Sequence, residues 1–233
     1  YEINKKSEGF DMGSGSGRWA KFIVNKVGLL NCVEPSKEAI DVSKKNLANF
    51  NNVKFHNYSV SDDILDEKSQ DFGYCLGVLH HIPDTFDGIK SCARILKPNA
   101  PFLLYLYYNF ENKPLSFRVI WKISNLLRIL IAYMPHKTKV NITKIIAVLI
   151  YLPLARFALV MSKIGFNSTN IPLSYYKDKS LYIMQNDSLD RFGTTLEKRF
   201  SKLEIEKMLI DAGFKNIVFS NQEPFWVCLA RKI

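Results

Sequence analysis

The chain has 233 residues, 47% of them hydrophobic, and carries 32 Lys and Arg against 22 Asp and Glu, a formal net charge of +10 at pH 7. This composition suffices for one well-buried core and an appended subdomain, and it excludes a disordered chain. Four widely separated cysteines, Cys32, Cys75, Cys92 and Cys228, show no CxxC or His-containing metal spacing, so they read as buried thiols of a reducing, cytoplasmic compartment with no metal site.

The sequence begins at Tyr1 without Met or a charged-then-apolar leader, and the first strand arrives within ten residues, so an N-terminal piece is expected to lie outside it. That strand ends at Asp11 and enters Asp11-Met12-Gly13-Ser14-Gly15-Ser16-Gly17. Alternate glycines let a backbone turn tightly and approach a ligand without a Cβ in the way, and a helix predicted over about 16–27 points its N-terminus at that ligand. A dinucleotide fingerprint needs glycine at position 18, where Arg18 stands, and an acid two residues before the first glycine suits an ammonium-bearing ligand better than a pyrophosphate. Further elements follow in alternation. Leu29 to Val33 is a buried strand, Lys37 to Asn49 a helix capped by Ser36, Val53 to Tyr58 and Phe72 to Leu76 are strands, Thr85 to Leu96 a helix stopped by Pro98, and Phe102 to Tyr108 a fifth strand. Strict alternation implies an α/β fold with a doubly wound parallel sheet and a ligand at the carboxyl ends of its strands.

The strand ends carry compatible chemistry. Glu34, with Pro35 behind it, stands roughly 20 residues after the loop, where an acid can accept both hydroxyls of a ribose. Ser59 and Asp62 follow the third strand and are suited to an adenine amino group, the alternative being a solvated turn. Gly77-Val78-Leu79-His80-His81-Ile82-Pro83 follows the fourth.

Together with Arg94-Ile95-Leu96-Lys97-Pro98, and Phe200-Ser201-Lys202 with Asp211-Ala212-Gly213-Phe214, these motifs make the chain resemble the class I S-adenosylmethionine-dependent methyltransferases over about residues 7–108 and 200–232; Ser201-x-x-Glu204 is also a capping box that opens a helix closed by Gly213. The resemblance implies a Rossmann-like, mostly parallel seven-stranded sheet with an antiparallel last strand, Ile217 to Ser220 and Trp226 to Ala230 being its last two strands. It also implies S-adenosylmethionine as cofactor. Asp11, Gly13, Ser14, Gly15 and Gly17 would hold its methionine part, Glu34 and Pro35 the ribose and Ser59 or Asp62 the adenine, with Gly77 beside the reacting sulfonium. Family members usually carry a helix before the first strand, for which the residues before Ser7 are too few.

Residues 109–197 fall outside the resemblance and read as a helical insert after the fifth strand, with 1–108 and 198–233 as the core. Residues 1–100 hold 13 basic and 13 acidic residues, and the remaining 19 basic and 9 acidic lie beyond them; 113–163 contains nine Lys and Arg and no acid. Arg118, Lys122, Asn125 and Arg128 form one polar stripe on an otherwise apolar helix. The apolar run from Ile145 to Met161 is interrupted by Pro153 and Arg156, which argues against a membrane span. The insert reads first as a lid laying its apolar face over the cleft, and second as a peripheral contact with an anionic membrane or an oligomer interface.

The reading that follows is methyl transfer to a small-molecule acceptor, a lipid or glycan precursor being one class. Its pocket would lie between core and insert, with His81 and Tyr108 as catalytic groups and Tyr107, Tyr176 and Arg191 as substrate contacts. The alternative for His81 is a structural role, and for Arg191 an internal ion pair with Asp190. A nucleic-acid methyltransferase is the competing enzyme class, but its Asn/Asp-Pro-Pro-aromatic motif is replaced here by Gly77-Val78-Leu79-His80, and aliphatic rather than stacking aromatic residues interleave the cations. A non-catalytic membrane-associated module is the third reading, opposed by the intact glycine loop and Glu34.

Overall fold

The computed structural model describes residues 2–233. The chain divides into two compact units, residues 1–109 with 198–233, and residues 110–197.

In the first unit seven strands form one sheet: β1 (Glu8–Met12), β2 (Leu29–Val33), β3 (Val53–His56), β4 (Phe72–Leu76), β5 (Pro101–Tyr105), β6 (Phe214–Phe219) and β7 (Cys228–Lys232). Their order is β3-β2-β1-β4-β5-β7-β6, with β7 antiparallel to both neighbours and the other pairings parallel. β1, β2 and β4 are buried along almost their whole length, as a parallel sheet covered on both faces requires. One face packs Phe10, Phe102, Leu104, Ile89, Leu96 and Ile205 together, and the other packs Val24, Leu30, Leu47, Phe72 and Tyr74.

Local chemistry sets the helices. α2 (Lys37–Asn46) starts where the Ser36 hydroxyl accepts the Ala39 N–H at 3.2 Å, and α3 (Thr85–Ile95) where the Asp84 carboxylate accepts the Asp87 N–H at 3.0 Å. Ser201 and Glu204 complete a capping box at α8 (Lys202–Asp211), and Gly213, at φ +83°, closes it.

Several boundaries differ from the sequence reading, each for a local reason. The helix expected over 16–27 is only α1 (Ala20–Ile23) followed by a 3-10 turn, Val24–Lys26, because Gly17 at φ +77° keeps the chain out of helical conformation through the loop. β5 stops at Tyr105 rather than Tyr108, since the Tyr107 carbonyl accepts instead from the Phe200 N–H at 2.9 Å. The last two strands lie at 214–219 and 228–232; the Ser220 N–H bonds the Val227 carbonyl at 2.8 Å, so Trp226 precedes the strand.

The second unit is helical: α4 (Leu115–Ala132), α5 (His136–Ile146), a π turn (Ala147–Tyr151), α6 (Leu152–Lys163) and α7 (Leu181–Gly193). Its small core joins Ile131, Ala147, Tyr151, Ala155, Met184 and Phe192. Contrary to the expected break at Pro153, α5, the π turn and α6 run on as one 28-residue helix, long and apolar enough by length and composition to cross a membrane. The wide π turn ahead of Pro153 accommodates a residue that has no N–H to give the helical ladder. The polar stripe of α4 also behaves unexpectedly. Arg128 is buried, donating from Nε to Asn125 at 2.8 Å and from Nη1 to the Thr194 carbonyl at 2.8 Å, while the apolar side chains Leu115, Leu126 and Leu130 are exposed.

Close packing across the sheet yields a stability test. A Cβ on Gly73 would stand 2.2 Å from the Phe10 ring. Gly73→Ala is therefore expected to destabilise the core by about 1–3 kcal/mol, read as a lower urea midpoint with unchanged m value.

Candidate cofactor and acceptor site

The site begins where β1 ends. The Gly13 and Ser14 N–H groups both donate to the Val33 carbonyl at 2.8 and 3.0 Å, folding the loop back against the end of β2. Gly13, Gly15 and Gly17 have φ of +77°, +52° and +77°, conformations that L side chains rarely adopt. A Cβ on Gly15 would meet nothing within 4 Å, so the loop opens onto space there.

Glu34 ties this loop to the neighbouring strand. Its Oε2 accepts the Gly15 N–H and its Oε1 the Ser36 N–H, both at 2.9 Å, leaving further lone pairs on each oxygen. Asn57 donates to the Glu34 and Pro35 carbonyls, each at 2.9 Å, binding the exits of β2 and β3 together.

Asp11 is 1% exposed, and its Oδ2 has no hydrogen-bond partner. Burial pushes its pKa up to about 7; the Tyr74 hydroxyl, opposite it on β4, offsets part of this, and the Glu34 charge adds to it. The buried Ser14 hydroxyl is likewise unpartnered. Buried polar atoms are nearly always satisfied, so these two mark a place for a polar ligand. An ammonium beside Asp11 and a polar group beside Ser14 would answer both, while Glu34 has acceptor capacity to spare for ribose hydroxyls. The residues fit S-adenosylmethionine.

Beyond β3, an open depression of about 640 Å³ is lined by residues including His56, Tyr58, Asp62 and Ile64. Asp62 Oδ2 accepts the Ser59 N–H at 2.7 Å and the Asp62 N–H returns to the Ser59 carbonyl at 3.1 Å, so both expected adenine contacts belong to one tight turn. Gly77, at φ +81°, donates to the Tyr105 carbonyl at 3.0 Å at the end of β4.

The two histidines occupy different environments. His80 is buried, stacked 3.7 Å from the Tyr107 ring, and its Nδ1 accepts the Tyr107 N–H at 3.4 Å. Burial, then the neighbouring His81 and Arg199 charges, drive its pKa down to about 2, so it is a neutral packing element. His81 is half-buried, its ring 5.5 Å from that of Tyr107. Arg199 lies 5.0 Å over the other aromatic partner of this group, Tyr107, and donates to the Tyr108 carbonyl at 3.1 Å. The Tyr108 ring meets Phe225 edge-on at 5.4 Å, and burial raises its phenol pKa well above the ordinary value.

Arg199 and Phe225 were not singled out from the sequence, because nothing local announces that the return from residue 197 and the turn before β7 converge on the end of β5. Tyr74 was missed because its relation to Asp11 exists only through the β1–β4 register.

Within the insert, Tyr176 packs 5.2 Å from Tyr151, and burial raises its phenol pKa, with Asp187 as a hydrogen-bonding neighbour. Arg191 pairs with the buried Glu197 at 2.6 Å and stands 5.3 Å over Trp121.

Residues 10–104 match the family described as "Methyltransferase domain". Among solved structures, a SAM-dependent methyltransferase from Methanosarcina mazei has 14% identity, covers 99% of this chain and 94% of its own, and superposes with a TM-score of 0.58. One from Thermotoga maritima has 13% identity, covers 97% and 82%, and gives 0.52; both likenesses speak to the fold. The Ubiquinone biosynthesis O-methyltransferase of Coxiella burnetii is 32% identical over 109 residues, 42% of this chain and 46% of that protein. The chain thus spans about half the length of that relative. With the domain match over residues 10–104, the glycine loop and this sheet order, the chain carries a methyltransferase domain of Rossmann-like fold and is similar to the class I S-adenosylmethionine-dependent methyltransferases.

Two measurements examine the cradle. Glu34→Ala should weaken S-adenosylmethionine binding by about 10–150-fold through loss of a charge-assisted contact, with calorimetry as the readout; unchanged affinity would remove Glu34 from the site. Asp11 sets a pH dependence. Because its folded pKa lies above the value of 3.8 for a free side chain, its favourable contribution is complete below about pH 4 and is lost as pH rises through about 7. Asp11→Asn should therefore gain stability over the parent between pH 4 and 8, on the order of 4 kcal/mol at the upper end. Parallel melting curves at both ends decide this.

Proposed function

We propose that the protein transfers a methyl group to a hydroxyl of a small, partly apolar acceptor. The observation that carries this is that the Asp11–Glu34 cradle and the aromatic group His81, Tyr107, Tyr108 and Phe225 both follow the carboxyl ends of adjacent parallel strands in the middle of the sheet. The Coxiella burnetii relative, by its name an O-methyltransferase of ubiquinone biosynthesis, supports a hydroxyl acceptor of this kind. The buried, unpaired cysteines support a reducing, cytoplasmic setting.

When bound, S-adenosylmethionine supplies an electrophilic methyl on a positively charged sulfur. Asp11, Ser14 and the glycine loop hold its amino-acid portion and Glu34 its ribose. The chain's own contribution to reactivity is alignment, worth roughly 7–11 kcal/mol in favourable cases. His81, unlike His80, is half-exposed and can accept the proton of an acceptor hydroxyl. Tyr107 offers a ring face to the acceptor, and Tyr108, whose phenol stays protonated, a donor hydroxyl. Within the insert, the Glu197 pairing supports a positioning role for Arg191.

The test is turnover of S-adenosylmethionine to S-adenosylhomocysteine with a panel of catechols and prenylated phenols. His81→Ala should lower kcat by about 10²–10⁴ with cofactor affinity nearly unchanged, and Tyr108→Phe should lower it less. Full activity in both variants would remove this aromatic group from the acceptor site, and turnover with RNA but no phenol would overturn the acceptor class.

A further inference from the structure

Around its small core, the helical insert leaves much of its apolar surface facing outward. A helix of a soluble unit ordinarily turns its apolar stripe inward and its cations to water. In α4 the apolar positions Leu115, Val119, Ile123, Leu126 and Leu130, recurring at helical spacing, are all exposed, Leu115 by 74% and Leu126 and Leu130 by 65% each. The opposite face carries Arg128 inward. There Arg128 and Lys139 donate at 2.8 Å each to the Thr194 and Gly193 carbonyls, satisfying the C-terminal end of α7 with positive charge.

The long helix buries the apolar stripe Ala147, Tyr151, Ala155 and Ala158, yet Leu149, Phe157 and Val160, with Ile164 just past its end, are exposed by 54–68%. Arg118 and Lys122 border the apolar face of α4, and Lys137 and Lys144, two turns apart, are exposed on α5. Within 113–163 no Asp or Glu accompanies them.

We infer that α4 and the α5–α6 helix form a docking surface for an anionic lipid bilayer, lying in its interface with the apolar faces in the acyl boundary and the bordering cations among the headgroups. Charge complementarity selects this occupant. A second copy seated symmetrically on the same face would set cations against cations with no acid to answer them. A bilayer with acidic headgroups supplies both the apolar phase and the counter-charge. A full span is disfavoured by what the long helix already holds: Arg156 donates to the Lys177 carbonyl at 2.7 Å, and the Thr143 carbonyl accepts from the buried Ser188 hydroxyl at 3.0 Å. The inference stands apart from the acceptor proposed above.

Flotation of the whole chain tests it, using phosphatidylcholine vesicles and vesicles that also contain phosphatidylglycerol. The chain should float with the anionic vesicles and detach as salt rises. Combined Lys122→Glu, Lys137→Glu and Lys144→Glu should lower anionic partitioning roughly 100-fold, at about one kcal/mol per cation. Leu126→Ser with Leu130→Ser should weaken binding at every salt concentration while circular dichroism and the melting curve stay those of the parent. Absence from both floating fractions overturns the proposal. So does a concentration-dependent dimer in light scattering that the leucine variants dissolve, since that assigns the face to a second copy. Retention through high salt and alkaline carbonate, with release by detergent alone, overturns it in favour of a span.

Discussion

The carboxylate of Glu34 accepts N–H groups from Gly15 on one side and Ser36 on the other, and the cofactor cradle depends on that double acceptance. It ties a loop with three left-handed glycines to the end of β2 through bonds internal to the chain, which restrain the loop's conformational freedom. The same charge has a cost nearby. Glu34 adds to the burial that already raises the pKa of Asp11, so the cradle carries a carboxylate that resists ionisation. A bound ammonium relieves that tension, and binding energy and folding stability are linked through one side chain.

Topology explains why an aromatic group gathers at the carboxyl ends of β4 and β5. β7 runs antiparallel to β5, which brings the turn carrying Phe225 to the end of the sheet where β4 and β5 finish. The chain returning from residue 197 is bonded there as well, through Lys198 N–H to the His80 carbonyl and Asn109 N–H to the Phe200 carbonyl, at 2.9 and 3.0 Å. These bonds fix Tyr107 and Tyr108 and press His80 into the stack, where burial keeps it neutral. One histidine thus builds the wall that positions the other.

The parallel half of the fold was legible because β1, β2 and β4 are buried on both faces and advertise themselves as short apolar runs between strong caps such as Ser36 and Asp84. The cradle was legible for a related reason: glycines at alternate positions and an acid at the end of β2 have few other uses in such a sheet. Legibility ended where long-range partners decide. The sequence shows Arg191 beside Asp190 and gives no sign that the buried Glu197 also pairs with it. Tyr74 and Arg199 acquire meaning only through strand register and a bond from the far side of the insert. Pro153 reads as a break because local rules cannot foresee a π turn ahead of it. The amphipathic pattern of α4 defines two faces correctly and does not say which is inside.

That last ambiguity has a physical resolution. Orientation of an amphipathic helix is settled by whichever face finds the better partners, and α7 ends in carbonyls that need donors. Arg128 and Lys139 supply them, and each bond between a cation and a helix C-terminus is stronger than a neutral one. Once those two cations face inward, the leucines of α4 have no route to the small core formed by Met184, Phe192 and Tyr151. Their exposure follows from the capping of α7, and with residues 113–163 devoid of acids it leaves a surface that water and another copy of the chain both satisfy poorly. The balanced charge of residues 1–100 and the cationic, outward-apolar insert are thus two solutions to two different solvents, one suited to holding a charged cofactor and the other to meeting lipid.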